Sequence, residues 1–306
     1  MKTQKSVAAG YLLALAATIL WSTFFPLVKI FPPNINPIEL SFWRWLFTGI
    51  GLLPFVLKAL KSHWKLIIIH WRWLAPAGIL GFSGYSILIF EAGHTSNATN
   101  MSLFAATAPI SMAILSKIFF KESLSRSQII GLLIAILGVF VVVLRGNFFK
   151  LAQLNFTIGD IWVLMAASLF AVYSILIRNR PNKMPQKICM AAMLGFALTA
   201  LLIGMFPIVT TPHYQLPSIP VLLAICYAAI VPTLIGYMLW NKSVEYIGAA
   251  RAGIVYYSIP LFSCFEAVLF LNESIHFSQV IGGFLIIGGI LLSSLSALLG
   301  KQNPPS

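Results

Sequence analysis

The chain has 306 residues, of which 59% are hydrophobic and only 9% are charged. An average soluble domain is about a quarter charged, so this composition excludes an ordinary soluble fold and indicates a protein whose solvent is the lipid bilayer. The net charge of +13 would suggest nucleic acid in a soluble protein, but here the bases lie in short connectors between apolar runs. No nucleic-acid partner is therefore expected.

Ten apolar runs are long enough to cross the hydrocarbon core, which takes roughly twenty helical residues. The first run, which follows MKTQK, is too long for the core of a signal peptide and predicts a retained helix. We therefore expect an all-α membrane protein with ten transmembrane helices. In chain order the predicted spans are 7–30, 38–57, 74–92, 98–120, 128–144, 158–177, 186–207, 218–240, 248–271 and 278–299.

The connectors between these spans predict the orientation of the chain. Those on one side, together with both termini, carry most of the 20 lysine and arginine residues, whereas the other side carries only Lys29, Arg145 and Lys150. Short basic loops remain on the cytoplasmic side, so both termini are predicted to be cytoplasmic and the protein to lie in the inner or plasma membrane. The segment KSHWKLIIIHWRW, 61–73, is expected to lie along the cytoplasmic headgroups.

The second half of the chain repeats the first. A shift of 151 residues brings several prolines, acids and glycines into register: Pro109 with Pro260, Glu122 with Glu273, Gly131 with Gly282, and Gly138 with Gly289. Each repeat holds five predicted helices, an odd number, so the second must enter the membrane from the opposite side. The expected organisation is two inverted repeats, 1–145 and 157–299, followed by a short cytoplasmic tail, 300–306.

Several short motifs recur in a fixed order along the chain: Trp21 with Ser22, Arg44, small residues before Pro109, Glu122, Gly159 with Asp160, Gly248, Pro260, Glu273 and GGFLIIGG at 282–289. In this order they resemble the EamA-type transporters of the drug/metabolite transporter superfamily, from about Gly10 to Leu299. The resemblance implies a ten-helix carrier with a central cavity and alternating access. It also implies substrates such as amino acids and other small metabolites, which are often exported.

The expected partners follow from this class of protein. They are a small-molecule substrate and membrane lipids, with protons as candidate coupling ions, and the chain is expected to act as a monomer or a homodimer. No catalytic motif such as HExxH, GxSxG or a P-loop occurs, so neither an enzyme, a cofactor nor a metal site is expected.

Arg44 is an ionisable residue inside a predicted span, where charge is expensive and usually faces the protein interior. One hypothesis is that it holds a substrate carboxylate, and another is that it pairs with Glu91 at the end of the third span. The alternative is that its side chain reaches the lipid headgroups.

Glu266 is the acid that the repeat does not explain, because its counterpart in the first half is Leu115. At 100° per residue it lies near Ser263 and Tyr256 on its helix, so the three can form a polar face. We consider it a candidate for the coupling proton or for contact with a cationic substrate group. The alternative is a protonated carboxyl bonded to a backbone carbonyl.

Aromatic residues supply the other candidates for substrate binding, because rings stack on flat substrates or hold an ammonium group. In a chain that is 13% aromatic, most such rings are expected to serve helix packing or the membrane interface instead. The aromatic candidates are Trp21, Phe24, Tyr85, Phe104, Tyr173, Tyr237, Trp240, Tyr256 and Tyr257.

Pro109 and Pro260 fall near the middle of the fourth and ninth spans, where each removes one helical amide donor. They are candidate hinges of a gate, and a plain kink is the alternative. Pro232 in the eighth span matches Gly81 in the third, which makes these two further candidates for bending.

A lipid-handling or structural helix bundle is the alternative to a carrier. A furrow open to lipid would favour that alternative, and a closed cavity near the middle of the membrane would favour the carrier. The residues expected to line such a cavity are Arg44, Tyr85, Tyr256 and Glu266.

Overall fold

The computed structural model describes residues 4–24, 27–28, 31–32, 34–96, 101, 104–121, 124–144, 146–147, 149, 156–180, 184–212, 214–271 and 277–298. Every regular element among them is a helix, as the composition predicts. Six helices of this part are long and apolar enough to cross a membrane, and three shorter apolar helices accompany them. The repeated acids Glu122 and Glu273 lie outside the described residues.

The helices form two series of similar order. The first half contains α1 (Gln4–Ser22), α2 (Pro37–Ile69), α3 (Trp71–Gly78), α4 (Tyr85–Thr95), α5 (Ala108–Phe120) and α6 (Arg126–Val143), and a π-helix, π1 (Ile79–Gly84), joins α3 to α4. The second half contains α7 (Ile158–Arg178), α8 (Gln186–Val209), α9 (Ile219–Ala228), α10 (Gly236–Ile247), α11 (Ala249–Tyr256), α12 (Ile259–Leu271) and α13 (Phe277–Leu298), and π2 (Ala229–Ile235) joins α9 to α10.

Helix α2 is much longer than its predicted span of 38–57. Its 33 residues extend about 50 Å, whereas the hydrocarbon core is about 30 Å thick. The helix begins behind Asn36, whose side chain accepts a hydrogen bond from the Ile38 amide. The prediction stopped where lysines ended the apolar run, but Lys58, Lys61 and Lys65 are exposed on the helix surface and leave its backbone undisturbed.

The two π-helices occupy matching places in the two halves. Gly81 lies within π1 and Pro232 within π2, the two positions predicted to bend. A π-helix has a wider turn, and proline supplies no amide donor, so both segments leave carbonyls for side chains to use. The Tyr237 hydroxyl donates to the Gly81 carbonyl at 3.3 Å, and Trp21 Nε1 donates to the Pro232 carbonyl at 2.8 Å.

The helices that contain the repeated prolines are interrupted just before them. Helix α5 begins at Ala108 and α12 at Ile259, so each proline is the second residue of its helix, where a missing amide donor costs little. In each gap a hydroxyl donates to the carbonyl three residues earlier. Thr107 donates to the Phe104 carbonyl at 2.7 Å, and Ser258 donates to the Val255 carbonyl at 2.8 Å.

The closest helix pairs each combine one helix from either half of the chain. Helix α6 packs along α13, α1 along α10, α4 along α7, α2 along α8, and α5 along α11. One buried cluster accordingly contains residues of both halves, from Val7 to Ile259. The two halves therefore interlock, and neither forms a core of its own.

Glycines allow α6 and α13 to approach at backbone distance. A Cβ atom added at Gly131 would lie 2.5 Å from the Gly289 carbonyl oxygen, and one at Gly138 would lie 2.8 Å from the Gly282 carbonyl oxygen. Because the lower number on α6 meets the higher number on α13, the two helices run antiparallel. Small residues at such seams are typical of helix packing in lipid.

Candidate functional site: a central cavity

A small cavity lies between the two halves of the chain. Most of its walls are buried inside the protein. They are formed by Trp21, Phe24, Arg44, Tyr85, Phe170, Pro232, Thr233, Tyr237 and Tyr256.

Arg44 is the single charged residue among these lining residues. Its side chain is only 2% exposed, and Nε and Nη2 have no hydrogen-bond partner in the described part of the chain. The guanidinium carbon lies 4.7 Å from the centre of the Phe24 ring and 5.5 Å from that of Phe90. Ring faces attract a cation but accept none of its directed hydrogen bonds. The guanidinium therefore retains free donors.

The expected pair between Arg44 and Glu91 is not formed. Glu91 lies half-buried on α4, is not among the lining residues, and does not bond the guanidinium. Contact of Arg44 with lipid headgroups does not fit this position, because the buried guanidinium lies against the rings of Phe24 and Phe90. The remaining hypothesis from the sequence, contact with a substrate carboxylate, agrees with this position.

Trp21 forms the centre of the aromatic wall. Its ring centre lies 5.3 Å from that of Phe170, 5.1 Å from that of Trp240 and 6.0 Å from that of Tyr256. The indole approaches π2 so closely that a Cβ atom at Gly236 would lie 2.6 Å from Nε1. Glycine at 236 is therefore required for the bond from Trp21 to the Pro232 carbonyl.

The tyrosines of the cavity have partners within the protein. Tyr85 and Tyr256 share a hydrogen bond between their hydroxyls, and Tyr237 donates to Gly81. Their rings, and not their hydroxyls, are thus the larger free surface. The walls are accordingly aromatic, with the charge concentrated at one point.

Two predicted residues lie directly behind the walls. Tyr173 is fully buried and donates to Asn241 Oδ1 at 2.7 Å, and Trp240 Nε1 donates to Ser174 Oγ at 3.1 Å. Both contact lining rings, so they hold the walls in place and do not face the cavity.

Phe104 and Tyr257 lie away from the cavity. The ring of Phe104 packs edge to face on Phe156, and Tyr257 belongs to a separate cluster with Val139 and Ile286. One residue along a helix turns a side chain by about 100°, so Tyr256 and Tyr257 face different neighbours.

Phe170 and Thr233 line the cavity but were not singled out from the sequence, although Thr233 directly follows Pro232.

Glu266 lies outside the cavity walls and joins α12 to α1. Ser22 Oγ donates to Glu266 Oε1 at 2.6 Å, and Ser263 Oγ donates to the Ser22 carbonyl at 3.3 Å. Ser263 therefore shares the polar face predicted for Glu266, whereas Tyr256 lines the cavity. Ser22 directly follows Trp21 in α1, so the carboxyl is one residue removed from the aromatic wall.

The sequence profile of the EamA-like transporter family matches the chain twice, over residues 8–144 and 157–295. The chain therefore belongs to the EamA-like transporter family. With its long apolar helices, it is a multi-pass integral membrane protein.

Individual relatives resemble the chain along nearly all of its length. The uncharacterized transporter YyaM of Bacillus subtilis is 24% identical over 96% of this chain and 96% of its own. A probable terminal-alkyne amino-acid exporter of Streptantibioticus cattleyicolor is also 24% identical, over 100% of this chain and 98% of its own. One crystal structure superposes with a TM-score of 0.74 at 19% identity, over 96% of this chain and 99% of that chain, which shows the fold.

Proposed function

We propose that this protein is a secondary-active transporter that moves a small polar metabolite across the cell membrane by alternating access. The observation that carries the proposal is the cavity between the two halves, with a buried arginine that has no acidic partner among the described residues and lies among aromatic rings. A relative is named a probable amino-acid exporter, so amino acids and related compounds are the first substrates to test.

The proposed topology is ten helices in two inverted repeats, 1–145 and 157–299, with both termini and the tail 300–306 in the cytoplasm. The antiparallel contact of α6 with α13 supports it, because these are equivalent helices of the two repeats. Inverted repeats whose helices interlock around a central site are typical of carriers that expose one site to either side in turn.

The proposed moving parts are the four irregular segments of the fold. Gly81 and Pro232 lie in the π-helices, and Pro109 and Pro260 follow the helix breaks. Each segment lacks the regular backbone hydrogen bonds of an α-helix. The helices on its two sides can therefore change their relative angle without breaking a continuous helix. Because π2 contributes Pro232 and Thr233 to the walls, bending there reshapes the cavity.

Glu266 is the proposed coupling site, which takes up a proton on one side of the membrane and releases it on the other. A charged carboxylate within the bilayer is costly, so Glu266 is protonated when it is shielded from water and can lose its proton when water reaches it. Few ionisable groups face it from the helices packed against α12. Helix α13 has none, α6 has only Arg126 at its first residue, and α1 has Lys5 and Tyr11.

The cavity also favours a carrier over a lipid-handling bundle. Arg44, Tyr85 and Tyr256 line one cavity between the two halves, as expected of a carrier, although Glu266 does not join them. A lipid groove would need polar side chains along the lipid-facing surface. The outer faces of α6 and α13 instead carry exposed apolar residues such as Leu133, Phe284 and Ile287.

The test is transport by the purified protein in proteoliposomes, with a panel of labelled amino acids and related metabolites and with or without a proton gradient. We expect flux of at least one compound, and we expect Arg44→Gln to abolish it. Arg251→Gln is the matched control, because Arg251 lies in a span but not at the cavity. Lipid scrambling without metabolite flux would support the alternative.

A further inference from the structure

We infer that the cavity selects an organic anion, with one carboxylate and an apolar or aromatic body, and discriminates against cations. This inference rests on the proposed function and deepens it by naming the class of substrate. It depends on three features of the cavity: its cation, the absence of an acid among its described lining residues, and its ring surfaces.

The cation of the cavity has no counter-charge within the part of the chain that the structure describes. Arg44 is 2% exposed and lines the cavity, and its Nε and Nη2 atoms have no described partner. A buried charge is normally paired, because an unpaired one is costly in a medium of low dielectric. A guanidinium presents a planar fork of donors that matches a carboxylate in two parallel hydrogen bonds. A substrate carboxylate would supply both the charge and the acceptors.

The described acids of the chain are engaged elsewhere. The sequence has seven Asp and Glu residues, and none of the five that the structure describes lines the cavity. Glu39 accepts from the Tyr214 hydroxyl at 2.7 Å, and Asp160 accepts from Ser96 Oγ at 2.5 Å. Glu245 lies 3.2 Å from Arg180 Nη1 and 3.2 Å from Lys242 Nζ. These three acids already have partners within the protein.

The other two acids that the structure describes, Glu266 and Glu91, offer no counter-ion to a bound cation either. Glu266 accepts from Ser22, and Glu91 lies on α4 outside the cavity walls. Glu122 and Glu273 lie outside the described residues. Among the described residues, an ammonium group in this cavity would therefore meet no carboxylate, while Arg44 repelled it. Charge at the cavity thus favours anions.

The residues of the cavity walls determine which uncharged body the substrate can have. Trp21, Phe170 and Tyr237 present rings, and the hydroxyls and indole N–H of the wall largely bond within the protein. A sugar or another polyol would leave its hydroxyl groups without partners there. An apolar or aromatic body can stack on these rings while its carboxylate meets Arg44.

Three compounds that share a ring and a chain length test the charge preference: 3-phenylpropionate, phenylalanine and phenethylamine carry an anion, a zwitterion and a cation. Binding to the purified protein in lipid nanodiscs is measured by quenching of tryptophan fluorescence, since Trp21 lines the cavity and Trp240 packs behind it. We expect 3-phenylpropionate to bind at least about tenfold tighter than phenethylamine, with phenylalanine between them. Equal or tighter binding of the amine would overturn the inference, as would failure of all three to bind.

Variants of Arg44 test whether this residue causes the preference for anions. Arg44→Gln should weaken 3-phenylpropionate binding at least about 30-fold, and Arg44→Lys should recover part of the loss, because it restores charge without the fork. Arg251→Gln should bind as the wild type does. Binding of the acid that Arg44→Gln leaves unchanged contradicts the inference, as does displacement of the acid by physiological chloride, which would assign the site to an inorganic anion. The compound series needs no variant, so misfolding of Arg44→Gln does not remove the test.

The same compounds in proteoliposomes separate the two proposals. The anion preference in binding without any flux would contradict the transport function and leave the inference in place. Flux that is fastest for phenethylamine would contradict the inference and leave the transport function in place.

Discussion

Trp21 is the residue that most directly connects the two halves at the cavity. It belongs to α1, donates to the Pro232 carbonyl of π2 and contacts the rings of Phe170 and Tyr256. The π-helix frees the carbonyl that the indole uses, so the irregular backbone and the aromatic wall depend on each other. A substitution there should affect both halves.

We expect Trp21→Phe to lower the thermal stability, because the ring is kept but the Pro232 carbonyl loses its donor. A buried acceptor left without a partner costs about 1 to 3 kcal/mol. The melting temperature of the purified protein in detergent measures the loss. Trp64→Phe is the control, since Trp64 is 53% exposed and should tolerate the change. Equal melting temperatures for both variants would contradict the importance of this bond.

At Glu266 we expect loss of proton coupling without loss of folding. Glu266→Gln keeps an acceptor for Ser22 but cannot release a proton, so accumulation driven by a pH gradient should disappear while exchange down a substrate gradient remains. Glu245→Gln is the control, because Glu245 pairs with Arg180 and Lys242 at the end of α10. Proton-driven accumulation by Glu266→Gln at the wild-type level would exclude this residue as the coupling site.

At the scale of elements, the four irregular segments occupy equivalent places in the two halves although their sequences differ. Glycine lies in π1 where proline lies in π2, and a threonine hydroxyl bonds the backbone in one helix gap where a serine does so in the other. What the halves share at these points is the backbone geometry. The geometry, and not the residue type, is therefore the repeated property.

Removal of the helix breaks should impair transport and spare folding. Pro109→Ala and Pro260→Ala restore an amide donor, so each interrupted helix can continue and stiffen. We expect a transport rate that falls several-fold in both variants, with melting temperatures at or above that of the wild type. Pro54→Ala is the control, because Pro54 lies exposed within α2, far along the chain from either break. Wild-type rates in both variants would argue against hinges at these sites.

The seam between α6 and α13 gives a prediction with a matched control. Gly131→Ala should destabilise the protein by about 1 to 3 kcal/mol, because its Cβ atom would lie 2.5 Å from a backbone oxygen that cannot move aside. Gly288→Ala should leave the melting temperature nearly unchanged, since nothing lies within 4 Å of its added atom. A similar effect of the two substitutions would show that the helices can separate without cost.

The composition and the repeat of the sequence predict the helical class and the sites of its irregular segments. Both properties depend on residue types, namely long apolar runs and the positions of glycine and proline. They do not predict the end of α2, where lysines stay exposed on a continuing helix, nor the π form of the breaks. A wide turn differs from a kink by a shift of hydrogen bonds that glycine or proline alone does not specify.

A site residue can be predicted from the sequence when its type is rare inside a membrane span, and cannot when its type is common there. Arg44 is singled out because charge inside a span is unusual, and the structure brings Trp21, Tyr85, Tyr237 and Tyr256 to the same cavity. The sequence alone does not give the rotation of a helix about its axis. Neighbouring rings such as those of Tyr256 and Tyr257 therefore cannot be assigned to cavity or packing before the fold is known.

For the whole molecule, we expect both termini in the cytoplasm. Green fluorescent protein fused after residue 306 should fluoresce, and alkaline phosphatase at the same point should be inactive, because the basic connectors hold that side inward. A fusion in the connector near residue 150, between the repeats, should give the opposite pair of results. Identical results at both points would contradict an odd number of helices in the second repeat.

The pairing of every closest helix with a partner from the other half has a consequence for synthesis. Ribosomes add about 5 to 20 residues per second, so the second half takes about 8 to 30 s to follow the first. During that time the first helices lie in the membrane, and the faces that will pack against the second half contact only lipid. The glycines of α6 are then exposed and can pack against helices of other proteins. We expect the nascent first half to be the stage at which quality-control proteases recognise this chain, and destabilised variants to be lost there.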